Sequence, residues 1–459
     1  MQIDNRAFYR KLRTLAAPIT FQSFMLAAVA AADALMLGGV AQNEMTAVSL
    51  ATQIQFVQNM FIFSIVSAGS ILGSQYWGKG DRETVRSVFH IMLRWCGIIS
   101  LVFFAACECF PDRLMRLFSH DDPIIETGSA YLRIAGWSYL IAGVSQCYLL
   151  IMKVTDHAVA GAWISSSAVV SNIVLNAVFI FGYLGMPAMN ARGAALATTL
   201  ARVIELVLCV TVSAGKTYIR PAWNRIFERR RQLAADFRRQ CMPLLGGGLL
   251  WGVGFTSYTA IMGHMGMDAA AANAVAAVIR DLICCVCNGV GTAAGIMVGN
   301  ELGAGNLEKG KACGIKLKNV SWVIGFASMA LVLALTPVVV QMVVLTPEAQ
   351  QYLTGMMIIM AVYMIGRCVN TVTINGVLDG GGDTVFDMYS LAVCMWGLAV
   401  CMWGLAIPLA LLGAFVFGWP VLAVYACTCL DEVGKIPWVM FRFRKYKWVK
   451  NLTRDNPTD

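Results

Sequence analysis

The sequence is short of charged residues. Only 13% of its 459 residues are Asp, Glu, Lys or Arg, whereas a soluble globular domain carries about 25%. Hydrophobic residues make up 58% of the chain, and the mean hydropathy is +0.66. So little charge excludes a soluble protein, because its surface would aggregate in water. The composition predicts an integral membrane protein whose main solvent is lipid.

The chain also lacks the motifs that carry catalysis. Its four His residues lie far apart, and the glycine triplets at 246–248 and 380–382 lack the context of a phosphate-binding loop. The fifteen Cys residues are scattered, and Cys284 and Cys287 have no second pair or His at zinc-ligand spacing. We therefore expect no enzyme activity, no cofactor and no disulfide framework.

Apolar runs of helical length follow one another along the chain. The first run is too long for a signal peptide, contains Asp33 and lacks a cleavage site. Lipid offers no partner for backbone N–H and C=O groups, so each run is predicted to be a transmembrane helix. The twelve runs lie near 14–40, 47–73, 88–110, 127–152, 159–184, 191–213, 241–263, 271–299, 318–344, 350–377, 386–411 and 414–438.

The net charge of +9 lies mostly in short segments between these runs, so it predicts orientation in the membrane and not nucleic-acid binding. Lys and Arg concentrate at both termini and after the second, fourth, sixth and eighth runs. The segments on the other side hold only Arg113, Arg116 and Arg192. Positive residues favour the cytoplasmic side. The sequence predicts a multi-pass plasma-membrane protein with both termini cytoplasmic.

The two halves of the chain resemble each other. Gly78 and Gly80 follow the second run, and Gly303 and Gly305 follow the eighth at an offset of 225 residues. This indicates duplication, with both halves in one orientation and a central cleft between them. We predict an all-α membrane protein of twelve helices in two pseudo-symmetric lobes. The predicted parts are an amino-terminal lobe at 1–213, a cytoplasmic linker at 214–240, a carboxy-terminal lobe at 241–440 and a cytoplasmic tail at 441–459.

Polar side chains inside apolar runs are candidates for function, because a charge at that depth is costly. Asp33 stands alone in the first run: burial favours its protonated form and a bound cation its ionised form, as a cation-coupled carrier requires. Asn172 and Asn176 lie one turn apart on the fifth run and can ligate a cation or simply bond a neighbouring helix. Pro18 is a candidate hinge in the first run, although plain helix geometry explains it equally well.

Several other charges lie within runs. Arg202 and Glu205 are spaced as an internal ion pair, and Lys435 is placed to pair with Asp431 at i+4. Further candidates, which face either the interlobe cleft or a carboxylate, are Arg280 and Arg367. Residues 394–407 contain a tandem repeat for which we have no functional interpretation.

Six segments of the chain carry a family resemblance: LAAPITFQSFMLAAVAAADALMLGGV, ILGSQYWGKGD, NIVLNAVFIFGYLGMPAMNARGAALATTLAR, IMVGNELGAGNLEKGKA, INGVLDGGGDT and DEVGKIPWVMFRFRKYKWVKN. In this order they resemble the multidrug and toxic compound extrusion (MATE) family, and within it a DinF-like bacterial or archaeal branch. The resemblance covers nearly the whole chain. It implies an outward-directed antiporter that exchanges a cationic or polyaromatic compound for H⁺ or Na⁺.

The resemblance also implies a cation site in the amino-terminal lobe. Asp33 and Asn172 match family positions at that site, whereas Asn176 stands where relatives carry an acidic residue. The site therefore has one carboxylate fewer, and either H⁺ or Na⁺ fits it. Residues that complete the shell are Tyr131, Gln146 and Thr198.

In the carboxy-terminal lobe, Asp383 matches an acidic residue that follows the tenth helix in the family. The helix 7 Glu of another subgroup is replaced by the region of Trp251 and Gly252. We expect small-molecule substrates, surrounding lipid, no nucleic acid, a monomer and a bacterial inner membrane. Two alternatives stay open. One is a flippase for lipid-linked precursors, supported by the intramembrane residues Arg133, Arg202, Arg280 and Arg367; the other is a membrane receptor or scaffold that transports nothing.

Overall fold

The computed structural model describes residues 4–38, 42–228, 230–343, 345–395 and 406–455, without the side chains of residues 30–35, 37–38, 42–43 and 184. Throughout this part of the chain the regular structure is helical, with no β-strand. The α-helices are α1 (Asn5–Gly38), α2 (Gln42–Lys79), α3 (Arg82–Cys109), α4 (Pro111–Arg116), α5 (Asp122–Val154), α6 (Ala158–Phe181), α7 (Asn190–Ser213), α8 (Arg231–His264), α9 (Met267–Gly303), α10 (Leu307–Met342), α11 (Pro347–Asn370), α12 (Thr384–Cys394), α13 (Ala406–Phe415) and α14 (Val421–Arg444).

Ten of the helices in the described ranges are long and apolar enough to cross a membrane. The shorter apolar helices α12 and α13 overlap the eleventh predicted run, and α14 overlaps the twelfth. Most of the tandem repeat lies outside the described residues. The fold is therefore the predicted all-α membrane architecture of twelve helices in two lobes, with the short α4 as an addition.

Three long helices of the described chain end later, or begin earlier, than hydropathy suggests. Helix α2 continues through the polar segment after the second run as far as Lys79, and α9 continues to Gly303. Helix α8 begins at Arg231, inside the segment predicted as linker. Hydropathy marks the part of a helix that lies in lipid, whereas a helix can continue into water with polar side chains.

Two glycines end α2 and α9 in the same way. Gly80 has φ 84° and Gly305 has φ 79°, a left-handed conformation that glycine adopts without strain. Asp81 N donates to Tyr76 O at 3.0 Å, and Asn306 N donates to Glu301 O at 3.0 Å. These bonds have the pattern of a Schellman cap. The same cap at an offset of 225 residues is a structural sign of duplication.

The described residues form two compact units. The amino-terminal unit contains residues between 21 and 241 together with Arg454 and Asp455, and the carboxy-terminal unit contains those up to 20 and between 242 and 453. Helix α1 therefore contributes residues to both. The four-part division into lobes, linker and tail stays a prediction.

A π-helical segment continues α11 in the carboxy-terminal unit, from Thr371 to Leu378. It packs closely against α9: a Cβ at Gly376 would lie 2.8 Å from Gly291 O, and one at Gly380 would lie 2.9 Å from Gly295 O. Real Cβ atoms do not approach so closely. Small residues here allow two helical backbones to touch, which is a common mode of packing in membranes.

Candidate binding cavity of the amino-terminal unit

The amino-terminal unit contains a cavity of about 730 Å³. It is lined by helices α1, α2, α5, α6 and α7, and a cavity of this size accommodates a drug-sized molecule. Most of its wall is apolar, as expected for a unit built from lipid-spanning helices. The polar and charged side chains in the wall are Ser49, Thr52, Gln55, Asn59, Tyr131, Gln146, Ser165, Asn172, Asn176, Thr198, Arg202 and Glu205.

The structure brings together five of the residues that the sequence singled out. Asn176 Nδ2 donates to Asn172 Oδ1 at 3.2 Å, and Asn172 Nδ2 donates to Thr198 Oγ1 at 3.4 Å. This relay connects α6 with α7. Tyr131 and Gln146 project from α5 into the same cavity. Amide and hydroxyl oxygens of this kind can accept from a ligand or contact a hard cation.

Two predicted residues of α1 are not placed in this cavity by the structure. Residue 33 belongs to α1, but the side chain of Asp33 lies outside the described part. Pro18 is inside α1 and belongs by its contacts to the carboxy-terminal unit. A cation site formed by Asp33, Asn172 and Asn176, and a hinge at Pro18, therefore stay predictions.

Helix α2 supplies polar lining that the sequence analysis missed. Thr52, Gln55 and Asn59 are spaced three and four residues apart, so they share one face of α2, and all three line the cavity. Their spacing is visible in the sequence and could have identified them. In contrast, Gln22 Nε2 donates to Ser165 Oγ at 2.6 Å across 143 residues, and no local pattern predicts that bond.

The cavity wall also contains the predicted ion pair. Arg202 Nη1 lies 2.8 Å from Glu205 Oε2, with side-chain exposures of 23% and 1%. This confirms the pairing expected from their i, i+3 spacing. Among the described residues that line the cavity, these two are the charged ones, so this part of the wall has no net charge. A carboxylate this deeply buried requires such a partner.

The carboxy-terminal unit has a different arrangement, centred on Glu432. Arg367 Nη1 lies 3.0 Å from Glu432 Oε1, and Lys435 Nζ lies 3.4 Å from the same oxygen. Asn370 Nδ2 donates to Glu432 Oε2 at 2.7 Å. The predicted pair between Lys435 and Asp431 is wrong. Lys435 pairs instead with Glu432, whose i+3 carboxylate is closer to the ammonium group. We name this set the Glu432 network.

The other two candidates of this unit also have charged partners. Arg280 Nε lies 3.0 Å from Asp281 Oδ1, and its guanidinium group lies 4.7 Å from the centre of the Phe255 ring. Asp383 accepts from Arg442 Nε at 2.7 Å and from Arg442 Nη2 at 2.6 Å. The functions predicted for Arg280, Arg367 and Asp383 stay predictions.

Twelve helices, a duplicated arrangement and a cavity within one repeat define a polytopic membrane protein of the transporter class. The MatE family model matches residues 18–178 and again residues 243–403, so the two matches are offset by 225 residues. The chain belongs to this family, the MATE transporters. The double match confirms the duplication inferred from the two glycine-containing segments, while the DinF-like branch stays a prediction.

Curated relatives and solved structures agree with this assignment. The chain is 23% identical to the uncharacterized transporter YisQ of Bacillus subtilis over 451 residues, which is 96% of this chain and 95% of YisQ. It is 25% identical to a probable multidrug resistance protein NorM of Bradyrhizobium diazoefficiens, covering 72% of this chain and 70% of NorM. A MOP superfamily transporter from Pyrococcus furiosus has the same fold, with a TM-score of 0.83 at 18% identity over 95% of this chain and 96% of that one.

Proposed function

We propose that the protein is a secondary active antiporter that exports organic compounds, often cationic or polyaromatic, in exchange for H⁺ or Na⁺. The observation that carries the proposal is the 730 Å³ cavity of the amino-terminal unit. Five polar residues selected from the sequence line this cavity, and its wall is otherwise largely apolar. Relatives that are named multidrug resistance proteins also support the proposed export of organic compounds.

The chemistry of the cavity fits such a cycle. An apolar wall binds aromatic or aliphatic parts of a substrate, while the Asn172–Asn176 relay offers amide oxygens to a cationic group. Asp33, on the helix that also contributes Leu26 and Val29 to the wall, is the carboxyl group proposed to exchange H⁺ or Na⁺. We place the protein as a monomer in a bacterial inner membrane, with both termini cytoplasmic.

The intramembrane arginines do not favour a flippase for lipid-linked pyrophosphates. Arg202, Arg280 and Arg367 each pair with a carboxylate. A pyrophosphate would have to displace these carboxylates. Glu205 and Glu432 are buried, and taking an arginine partner from a buried carboxylate costs several kcal/mol. Arg133, the fourth, is an exposed residue of α5.

The test is efflux by the purified protein in liposomes, with proton and sodium gradients imposed separately and ethidium or norfloxacin as substrate. We expect one of the two gradients to drive transport, and Asp33→Asn to abolish it. Asp112→Asn removes an exposed carboxylate of α4 and serves as the matched control. Undiminished gradient-driven efflux by Asp33→Asn would remove the coupling role from this residue, and no efflux under either gradient would contradict antiport.

A further inference from the structure

A second concavity lies on the carboxy-terminal unit, far in sequence from the cavity residues. It is a groove of about 310 Å³ between α12 and the final turns of α14. The exposed residues along it are Val385, Tyr389 and Phe441, with relative exposures of 46%, 55% and 59%. We name it the α12–α14 groove. Nothing in the proposed transport cycle uses it.

The floor of the groove is aromatic and held in place by packing. Phe386 is buried, and its ring meets that of Trp438 edge-on, with centroids 5.3 Å apart and planes at 78°. Such edge-to-face pairs are a favourable aromatic geometry. Together with Tyr389 and Phe441, these rings provide an apolar surface of the kind that is enriched where membranes meet water.

Two cations lie at one end of the groove. Arg442 contacts Asp383 through Nε and Nη2, so Nη1 lies outside that bidentate pair, and its guanidinium group lies 5.3 Å from the centre of the Phe386 ring. Lys445 Nζ lies 4.2 Å from the centre of the Phe441 ring. Within the described chain Lys445 has no carboxylate partner. With one carboxylate and two cations, this end of the groove has a net positive charge.

The position of the groove indicates which class of ligand it binds. Helix α14 leaves its apolar run near Trp438 and enters a basic segment that includes Arg444 and Lys447, so the groove lies where a membrane helix enters water. Apolar walls and a cationic end match a lipid with an anionic headgroup, and basic pockets at membrane surfaces bind such headgroups. We propose that the α12–α14 groove binds the phosphate of an anionic phospholipid at Lys445 and Arg442, with an acyl chain along Tyr389 and Phe441.

The inference is tested by lipid binding to the purified full-length protein, measured by native mass spectrometry in detergent and independently of transport. Phosphatidylglycerol and phosphatidylcholine with the same acyl chains are titrated in parallel, and inorganic phosphate is titrated alone. We expect at least one phosphatidylglycerol to bind more tightly than phosphatidylcholine, and phosphate alone not to compete at equal concentration. Equal binding of the two lipids, or full competition by phosphate, would overturn a site for anionic lipid.

Variants locate the site. Lys445→Ala is expected to weaken phosphatidylglycerol binding about fivefold, the effect of one cation at a membrane surface. Lys447→Ala removes the same charge from an exposed residue outside the groove and is expected to leave the affinity unchanged. If both variants lose affinity equally, the attraction comes from the basic tail as a whole, and the groove is not the site.

Discussion

In the amino-terminal unit, Asn172 and Asn176 lie beside a cavity of about 730 Å³, whereas in the carboxy-terminal unit Asn370 is bonded to the buried carboxylate of Glu432. Both units descend from one duplicated sequence. One leaves its amides beside open space, where a ligand can reach them. The other uses an amide and two cations to satisfy a carboxylate. The difference separates inner amides that a ligand can reach from an inner amide that already stabilises a buried carboxylate.

The energetic reason is the cost of burying charge. A carboxylate in a low-dielectric interior must be compensated by cations and hydrogen bonds, and Glu432 has Arg367, Lys435 and Asn370. Neutral amides cost much less to bury and retain acceptor capacity for a guest. Duplicated helices can therefore diverge in function when a few side chains on their inner faces change.

The largest expected effect comes from breaking the Glu432 network. Glu432→Gln removes the carboxylate that Arg367 and the buried Lys435 contact, which should lower the free energy of unfolding by about 3–5 kcal/mol. Glu205→Gln is the comparison in the other unit. We expect a smaller loss there because the ion-pair partner of Glu205 is Arg202 alone, at the border of the cavity, whereas Glu432 contacts both Arg367 and Lys435. Denaturation in SDS, followed by circular dichroism, measures both. Similar losses for the two variants would mean that the units do not differ as described.

A crossed pair of amide substitutions separates binding from stability. Asn172→Ala removes the centre of the cavity relay. We expect it to lower efflux about tenfold, which corresponds to roughly one hydrogen bond, and to change the free energy of unfolding little. Asn370→Ala removes a bond to a carboxylate and should cost about 1.5–3 kcal/mol of stability. Liposome efflux and SDS denaturation are measured on both variants. The comparison fails if Asn172→Ala proves to be the more destabilising of the two.

Close backbone packing in the carboxy-terminal unit gives an intermediate effect. In Gly376→Ala the new Cβ would lie 2.8 Å from Gly291 O and 2.9 Å from Ala294 Cβ, so α9 and the π-helical segment must separate. We expect a loss of about 1–3 kcal/mol, typical of overpacking. Gly434→Ala is the control, because its Cβ meets nothing within 4 Å; its higher helix propensity should leave stability unchanged or raised by up to about 1 kcal/mol. A neutral Gly376→Ala would show that this packing is loose.

Composition and the length of the apolar runs were enough to predict the all-α membrane fold, because lipid permits few other structures. They were not enough to predict helix ends. Gly80 and Gly305 end α2 and α9 beyond the apolar runs, since backbone capping and not hydropathy decides where a helix stops.

The cavity was predictable where one helix supplies the pattern. Asn172 and Asn176 lie at i and i+4 of one helix, whereas Thr198 was expected only from the family resemblance. The contact between Gln22 and Ser165 was not predictable, because it depends on how distant helices pack. The same applies to Lys435: i+3 and i+4 carboxylates both fit helix geometry, and the approach of Arg367 from another helix fixes Glu432 as the centre.

The smallest expected effect concerns an ion pair in water. Lys79 Nζ lies 2.9 Å from Asp455 Oδ1, and this hydrogen bond lowers the pKa of the Asp455 carboxyl group below its ordinary value. A lowered pKa stabilises the folded state above the unfolded-state pKa, and that contribution disappears as the pH falls through the folded-state value. Because Asp455 is fully exposed, solvent screens the pair, and surface pairs contribute little.

We therefore expect Asp455→Asn to leave the thermal midpoint at pH 7 within replicate scatter, with any residual difference from the wild type lost in acid. Glu432→Gln, measured in the same experiment, should lower the midpoint clearly. The two variants remove one carboxylate each, from a pair in water and from a network inside the bundle. The difference between their thermal midpoints therefore measures what burial adds to a charge interaction. A midpoint for Asp455→Asn as low as that of Glu432→Gln would show that the exposed pair contributes as much to stability as the Glu432 network, and would contradict this ranking.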